Sequence, residues 1–248
     1  MPARVFERGV LAKRESALED QPMVNRRSFL LGACASGVPA AAIAGPADLL
    51  SSLTMTFRFT NAGIPIRSFS MSSRSEEPTL RVGDVVLADL RSAGQEPARG
   101  DLIVFRLRDG KAEWMKRVVG LSGERIAMID GRLSIDGAIV DRKPLPAFAS
   151  TQGSGAIRSV SRYRETLPGG ASHEIIETDG DGSVFDRMTE TLVPQGACFV
   201  LGDNRDNSLD SRDRSVGFVP FSDIVGRIVY RLRPDPTWLV AESSVSGL

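Results

Sequence analysis

Lys116 sits in Trp114-Met115-Lys116-Arg117-Val118-Val119, a cation set among apolar neighbours. Lysine titrates at about 10.4 in water, so it serves as a base near neutral pH only where desolvation favours the neutral amine. Strand alternation would put Trp114, Lys116 and Val118 on one face, where they could line a dry pocket. A neutral amine there can take the proton of a serine, whose hydroxyl is a poor nucleophile until a base removes it. Serines 70, 72, 73 and 75 lie upstream, just before Glu76-Glu77-Pro78-Thr79-Leu80. The plainer reading of Lys116-Arg117 is a solvated surface pair.

Histidine chemistry has little support. The one histidine, His173, follows Gly169-Gly170-Ala171-Ser172 and reads as a surface-loop residue. A Ser-His-Asp triad would have to use it, as would most catalytic zinc sites. No partner motif surrounds it, so a hydrolase built on this chain would work without histidine. Cys34 and Cys198 are the two cysteines and give neither a disulfide framework nor a metal signature. The acidic stretch from Asp203 to Asp210 lacks the central glycine and terminal glutamate of a calcium loop. No metal or cofactor is expected. Thirty-one Lys plus Arg balance 31 Asp plus Glu, so no net basic field draws the chain to nucleic acid.

Three segments together resemble bacterial type I signal peptidases, over roughly residues 57–230 and in family order. The first is Phe69-Ser70-Met71-Ser72-Ser73-Arg74-Ser75-Glu76-Glu77-Pro78-Thr79-Leu80, followed by Gly83-Asp84. The second is Lys116-Arg117-Val118-Val119-Gly120-Leu121-Ser122-Gly123-Glu124. The third and most specific is Gly202-Asp203-Asn204-Arg205-Asp206-Asn207-Ser208, with Asp210 and Arg212 just beyond. One motif alone would be weak; three in order are not.

The resemblance implies a serine/lysine endopeptidase that removes leader peptides from exported proteins. Its gap-free alignment makes Ser75 the nucleophile and Lys116 the general base. Ser73 then supplies an oxyanion-hole hydroxyl, Ser208 orients the lysine, and Asp203, Asp210 and Arg212 support the site. Ser72 stands where the family has proline, and Glu76 where it has methionine. Ser70-Met71 offers a second nucleophile assignment, at the cost of an insertion before Glu77. Spacing favours Ser75, because it fixes where the hydroxyl sits relative to the following strand. Glu76 is open to two placements. Facing inward, a carboxylate would favour the charged lysine and oppose the oxyanion. Facing solvent, it would be screened.

These residues need a scaffold that holds them. Short β-type runs recur after Met55: 84–88, 102–105, 117–119, 125–129 and 133–135, then 198–201 and 224–230. Asp130-Gly131 and Asp136-Gly137 are hairpin turn pairs. A mainly β fold is expected: an antiparallel catalytic body with a smaller β insertion, preceded by one N-terminal apolar helix. The expected division is a polar cytosolic tail over 1–25, an anchor or export signal plus linker over 26–56, and a core over 57–141 and 196–232. The insertion covers 142–195, with weak strands, and 233–248 reads as a loose tail.

Arg26-Arg27 precede an uncharged apolar stretch, Phe29 to about Gly45. Three readings stand: a retained membrane anchor, a cleaved twin-arginine signal ending near Ala42-Ile43-Ala44, or a buried helix. The first two send the body to the periplasmic side of the inner membrane. Expected partners are leader-bearing preproteins and the lipid bilayer, with the protein itself a monomer. Two other functions compete: a non-cleaving homologue that binds exported chains, and a self-cleaving Ser-Lys regulator. The second lacks a helix-turn-helix and a basic patch.

Overall fold

The computed structural model describes residues 46–108, 110, 112–151, 155–180 and 183–248. The apolar stretch 29–45 lies outside them, and with it the choice between anchor, signal and buried helix. Among the described residues no helix is long and apolar enough to cross a membrane.

Helix α1 spans Pro46–Asn61. The change to β-type runs read from Met55 onward therefore comes later, at Ile66. Met55 and Phe59 lie one helical turn apart, and both are buried against Ile64, Leu87, Val229 and Tyr230. That shared burial carries the helix past Met55. Leu50, Leu53 and Phe57 are exposed.

Among the described residues fifteen strands, all paired antiparallel, make up three sheets, giving the mainly antiparallel β architecture with one helix near the N-terminus. The largest sheet runs in the order β1 (Ile66–Ser70), β2 (Val85–Asp89), β14 (Ile224–Arg233), β3 (Leu102–Arg106), β4 (Glu113–Gly120), β12 (Ala197–Leu201), β13 (Val219–Pro220). A short strand, β15 (Thr237–Trp238), pairs with β14. A four-stranded sheet has the order β11 (Met188–Leu192), β5 (Arg125–Ile129), β6 (Arg132–Ile135), β7 (Ala138–Ile139). A three-stranded sheet has the order β10 (Ser172–Glu177), β9 (Ile157–Thr166), β8 (Asp141–Thr151).

Alternation in the large sheet feeds two apolar cores. Leu102, Val104 and Met115 join Val86, Ala88 and Ile228 in one. Ile103, Phe105 and Val118 join Val200, Val219 and Ile224 in the other, with Trp114 packed against it. Lys116 pairs with Ile103 across the β3–β4 ladder, so it points to the Trp114–Val118 side, as its spacing predicts. The two hairpin turns form as read. Asp130 and Gly131, then Asp136 and Gly137, take positive φ at both central positions, the type I′ geometry that matches strand twist.

Three expectations change. His173 is not in a surface loop: it lies in β10 opposite Glu165 and is 8% exposed. The Gly169-Gly170 turn that reads as a loop ends two residues sooner, and the strand begins at Ser172. The segment 142–195 holds strong strands, since β8 and β9 form a long ribbon of 11 and 10 residues. Most of their side chains are exposed, so ladder pairing rather than burial stabilises them, and no apolar period marks them. The end of the chain is not loose. Trp238 packs edge-on to Tyr230 at 5.1 Å, and Val245 is buried with Phe59.

Phe59→Ala should lower stability by about 3–5 kcal/mol by leaving a cavity, whereas Phe57→Ala should stay within about 0.5 kcal/mol. Urea unfolding of the two variants beside the parent checks that α1 belongs to the folded body. Equal effects would contradict it.

Candidate active site

The loop between β1 and β2 is closed at its base by two backbone bonds, Met71 N–H to Asp84 O and Gly83 N–H to Met71 O. Ser75 lies within this loop and is 1% exposed. Lys116 reaches it from β4, itself 1% exposed. Lys116 Nζ lies 2.6 Å from Ser75 Oγ. The same amine donates to Met115 O at 2.9 Å and to Glu76 Oε1 at 3.0 Å. Ser75 Oγ in turn donates to Glu76 Oε1 at 3.1 Å. The Trp114 ring centroid is 5.8 Å from Nζ. The site is thus a buried triangle of hydroxyl, amine and carboxyl against an aromatic wall.

Glu76 faces inward. It is fully buried, and burial pushes its carboxyl up to about 7. Asp203 adds to that rise, while Lys116 and Arg117 oppose it. Ser73 Oγ sits 3.1 Å from Ser75 Oγ and 3.5 Å from the Ser75 backbone nitrogen. A hydroxyl and a backbone N–H therefore lie together beside the hydroxyl that would attack.

The segment from Gly202 to Arg212 locks this arrangement from behind. Asn204 N–H donates to Ser75 O at 3.0 Å, and its side-chain amide donates to Arg74 O at 3.1 Å. Asp203 accepts both arms of the Arg117 guanidinium, at 2.7 and 2.6 Å, and the Thr79 hydroxyl at 2.5 Å. Burial alone would raise the Asp203 carboxyl, but Arg117, His173 and the Thr79 hydroxyl together outweigh it and hold the group below the usual range. Asp210 pairs with Arg212 through two bonds of 2.8 Å and accepts Gly202 N–H at 3.0 Å. Gly202 leaves no room for a side chain: a Cβ would fall 2.5 Å from Ser75 O and closer still to Ser208 Oγ.

Arg205 carries the lock into the three-stranded sheet. It is 2% exposed and pairs with Glu165 of β9 through both guanidinium arms, one at 3.1 Å. Ile176 N–H donates to Asp203 O and Arg205 N–H to Ile176 O. His173 Nε2 lies 3.4 Å from Glu165 Oε2 and 3.8 Å from Asp203 Oδ1, and among the described residues neither ring nitrogen has a hydrogen bond. Burial, helped by the nearby Arg117, pushes its imidazole down to about 4.

The structure brings Ser73, Ser75 and Lys116 together, with Asp203, Asp210 and Arg212 in the segment packed behind Ser75. Ser70 is exposed at the end of β1 and makes no hydrogen bond to Lys116. Ser208 is buried and its hydroxyl acts on Asp210, while the hydrogen bonds of Lys116 Nζ go to Ser75, Met115 and Glu76. Sequence reasoning missed Arg117, Thr79, Asn204, Arg205 and Glu165. For Arg117 a signal existed, since an arginine beside a buried lysine needs an acid of its own. For Glu165 there was none.

A family model described as "Signal peptidase, peptidase S26" matches residues 48–233. The chain is similar to signal peptidase I of Pseudomonas fluorescens, 36% identical over 198 residues, covering 69% of this chain and 66% of that one. It is also similar to signal peptidase I of Rickettsia canadensis, 35% identical over 144 residues, covering 53% of this chain and 50% of that one. The chain spans about half the length of the Rickettsia relatives it matches. A crystal structure of a signal peptidase I from Enterococcus faecalis aligns with TM-score 0.31 and 24% identity, covering 54% of this chain and 97% of that one.

The depressed imidazole of His173 makes stability depend on acid. Its folded value of about 4 lies below the unfolded 6.5, so between these the unfolded chain binds the extra proton. Stability is full above about pH 6.5 and falls as pH drops toward about 4. Two and a half units correspond to about 3 kcal/mol. Urea midpoints across this range should fall more steeply for the parent than for His173→Leu, and parallel curves would rule the effect out.

Proposed function

Since the chain belongs to the signal peptidase family, peptidase S26, we propose that it is a membrane-bound serine endopeptidase that removes N-terminal leader peptides from exported proteins. The observation that carries this reading is the 2.6 Å approach of Ser75 Oγ and Lys116 Nζ in a water-excluded site. Ser75 Oγ attacks the carbonyl carbon of the scissile bond while the Lys116 amine takes its proton. The oxyanion that forms is received by the Ser75 N–H and the Ser73 hydroxyl. Lys116 then returns the proton to the leaving amine, and the acyl group remains on Ser75. Water, deprotonated by the same amine, attacks the acyl carbon and frees the serine. By family likeness, substrates carry small residues one and three positions before the cut. Shallow pockets exclude larger side chains there. The body acts on the extracytoplasmic side, held to the bilayer by the segment before residue 46.

A second reading has its own observation. Glu76 occupies the dyad and can hold Lys116 charged, which suits a homologue that binds leader peptides without cutting them.

Incubation of the full-length protein with a leader-bearing precursor decides between them. Cleavage is expected, with a loss of at least about a thousandfold in Ser75→Ala and in Lys116→Arg, since arginine stays protonated. Ser70→Ala should cut normally. Binding without cleavage by the parent would favour the second reading. Cleavage surviving in Ser75→Ala but lost in Ser70→Ala would overturn the nucleophile assignment.

A further inference from the structure

The three bonds at Lys116 Nζ account for every proton the amine can offer. An ammonium has three N–H donors and no acceptor. Here those donors face Ser75 Oγ, Met115 O and Glu76 Oε1. None is left for Ser208, whose hydroxyl acts on Asp210 instead. We propose that Glu76 is the positioning residue for the Lys116 base in this protein, the part that resemblance gives to Ser208. The proposal rests on the Ser75/Lys116 reading and extends it.

Once Lys116 is neutral, two N–H bonds and one lone pair remain. Met115 O and Glu76 Oε1 hold the two N–H groups, which leaves the lone pair directed at Ser75 Oγ. That is the orientation a general base needs, with the reacting atoms already 2.6 Å apart. Met115 O alone would leave the amine free to rotate about one bond. Ser75 must also turn its hydroxyl proton from Glu76 Oε1 to the amine before attack. Glu76 thus holds the resting site closed and the working site aligned, using one oxygen.

The carboxylate has an opposing effect. When ionised, Glu76 stabilises the ammonium form of Lys116, the form that cannot act as a base. The charged groups that face Glu76 are Lys116 and Arg117 of β4 and Asp203 just after β12. Arg117 and Asp203 neutralise each other through their paired bonds, so Lys116 and Glu76 set the local balance. Removing the charge while keeping an acceptor separates orientation from electrostatics, and Glu76→Gln does so.

The test measures kcat and KM against pH for full-length parent, Glu76→Gln, Glu76→Ala and Ser208→Ala on one precursor. Glu76→Gln should move the rising limb of activity to lower pH by about one unit or more and keep the plateau rate within about threefold. Glu76→Ala should lower plateau kcat by about tenfold or more with KM nearly unchanged, a loss of alignment and not of substrate binding. Ser208→Ala should cost less than Glu76→Ala. A turnover-free readout uses carbon-13 at glutamate Cδ, with the Glu76 signal assigned through its loss in Glu76→Gln. That carboxyl should titrate at about 7, move upward in Lys116→Met and stay in place in Ser208→Ala. A large kcat loss in Ser208→Ala with none in Glu76→Ala would overturn the proposal. So would a Glu76 titration indifferent to Lys116→Met. If no variant or parent cuts while the Lys116→Met shift is seen, the Glu76–Lys116 coupling stands and the cleavage reading falls.

Discussion

Arg117 and Asp203 meet through two parallel bonds in a place that water does not reach. Neither charge could remain there alone, because an unpaired ion in the interior loses its hydration with nothing in return. Pairing therefore dictates geometry. Arg117 follows Lys116 on β4, and Asp203 precedes Asn204, which holds the carbonyl of Ser75. The strand with the amine and the loop with the hydroxyl are brought together by a neighbouring ion pair. The 2.6 Å approach of Ser75 and Lys116 follows from that bond as much as from their own.

The pattern extends outward. Around the dyad Glu76 pairs with Lys116, Asp203 with Arg117, Asp210 with Arg212 and Glu165 with Arg205, so four acids meet four bases. Three of the bases are arginines, whose planar fork satisfies two carboxylate oxygens at once. The fourth base is lysine, Lys116, which bonds Glu76 through one oxygen only. His173 sits among these pairs with its imidazole pushed down to about 4, because burial disfavours the imidazolium and Arg117 repels it more than Asp203 and Glu165 attract it.

Much of this could be read from the chain. The strands of the large sheet show alternation because one side of each meets a core, and the Asp-Gly pairs mark their turns directly. Ser75, Lys116 and the segment from Gly202 to Arg212 stood out through motif and spacing. What stayed hidden was carried by pairing between distant residues. β8 and β9 are held by their ladder and by exposed side chains, so no burial period betrays them. Glu165 looks like any strand glutamate until the ribbon folds it onto Arg205. The orientation of Glu76 was undecidable from sequence, because it depends on whether the loop turns toward β4 or toward water.

Gly202 bears on how such a site can change over generations. Its α-carbon is wedged between the Ser75 carbonyl and Ser208, with no space for even a methyl group. A lineage exploring change cannot vary this point without first moving the loop that carries Ser75, and moving that loop separates Ser75 from Lys116. Change would enter from the exposed ribbon of β8 and β9, while the glycine acts as a ratchet that keeps Ser75 and Lys116 in register.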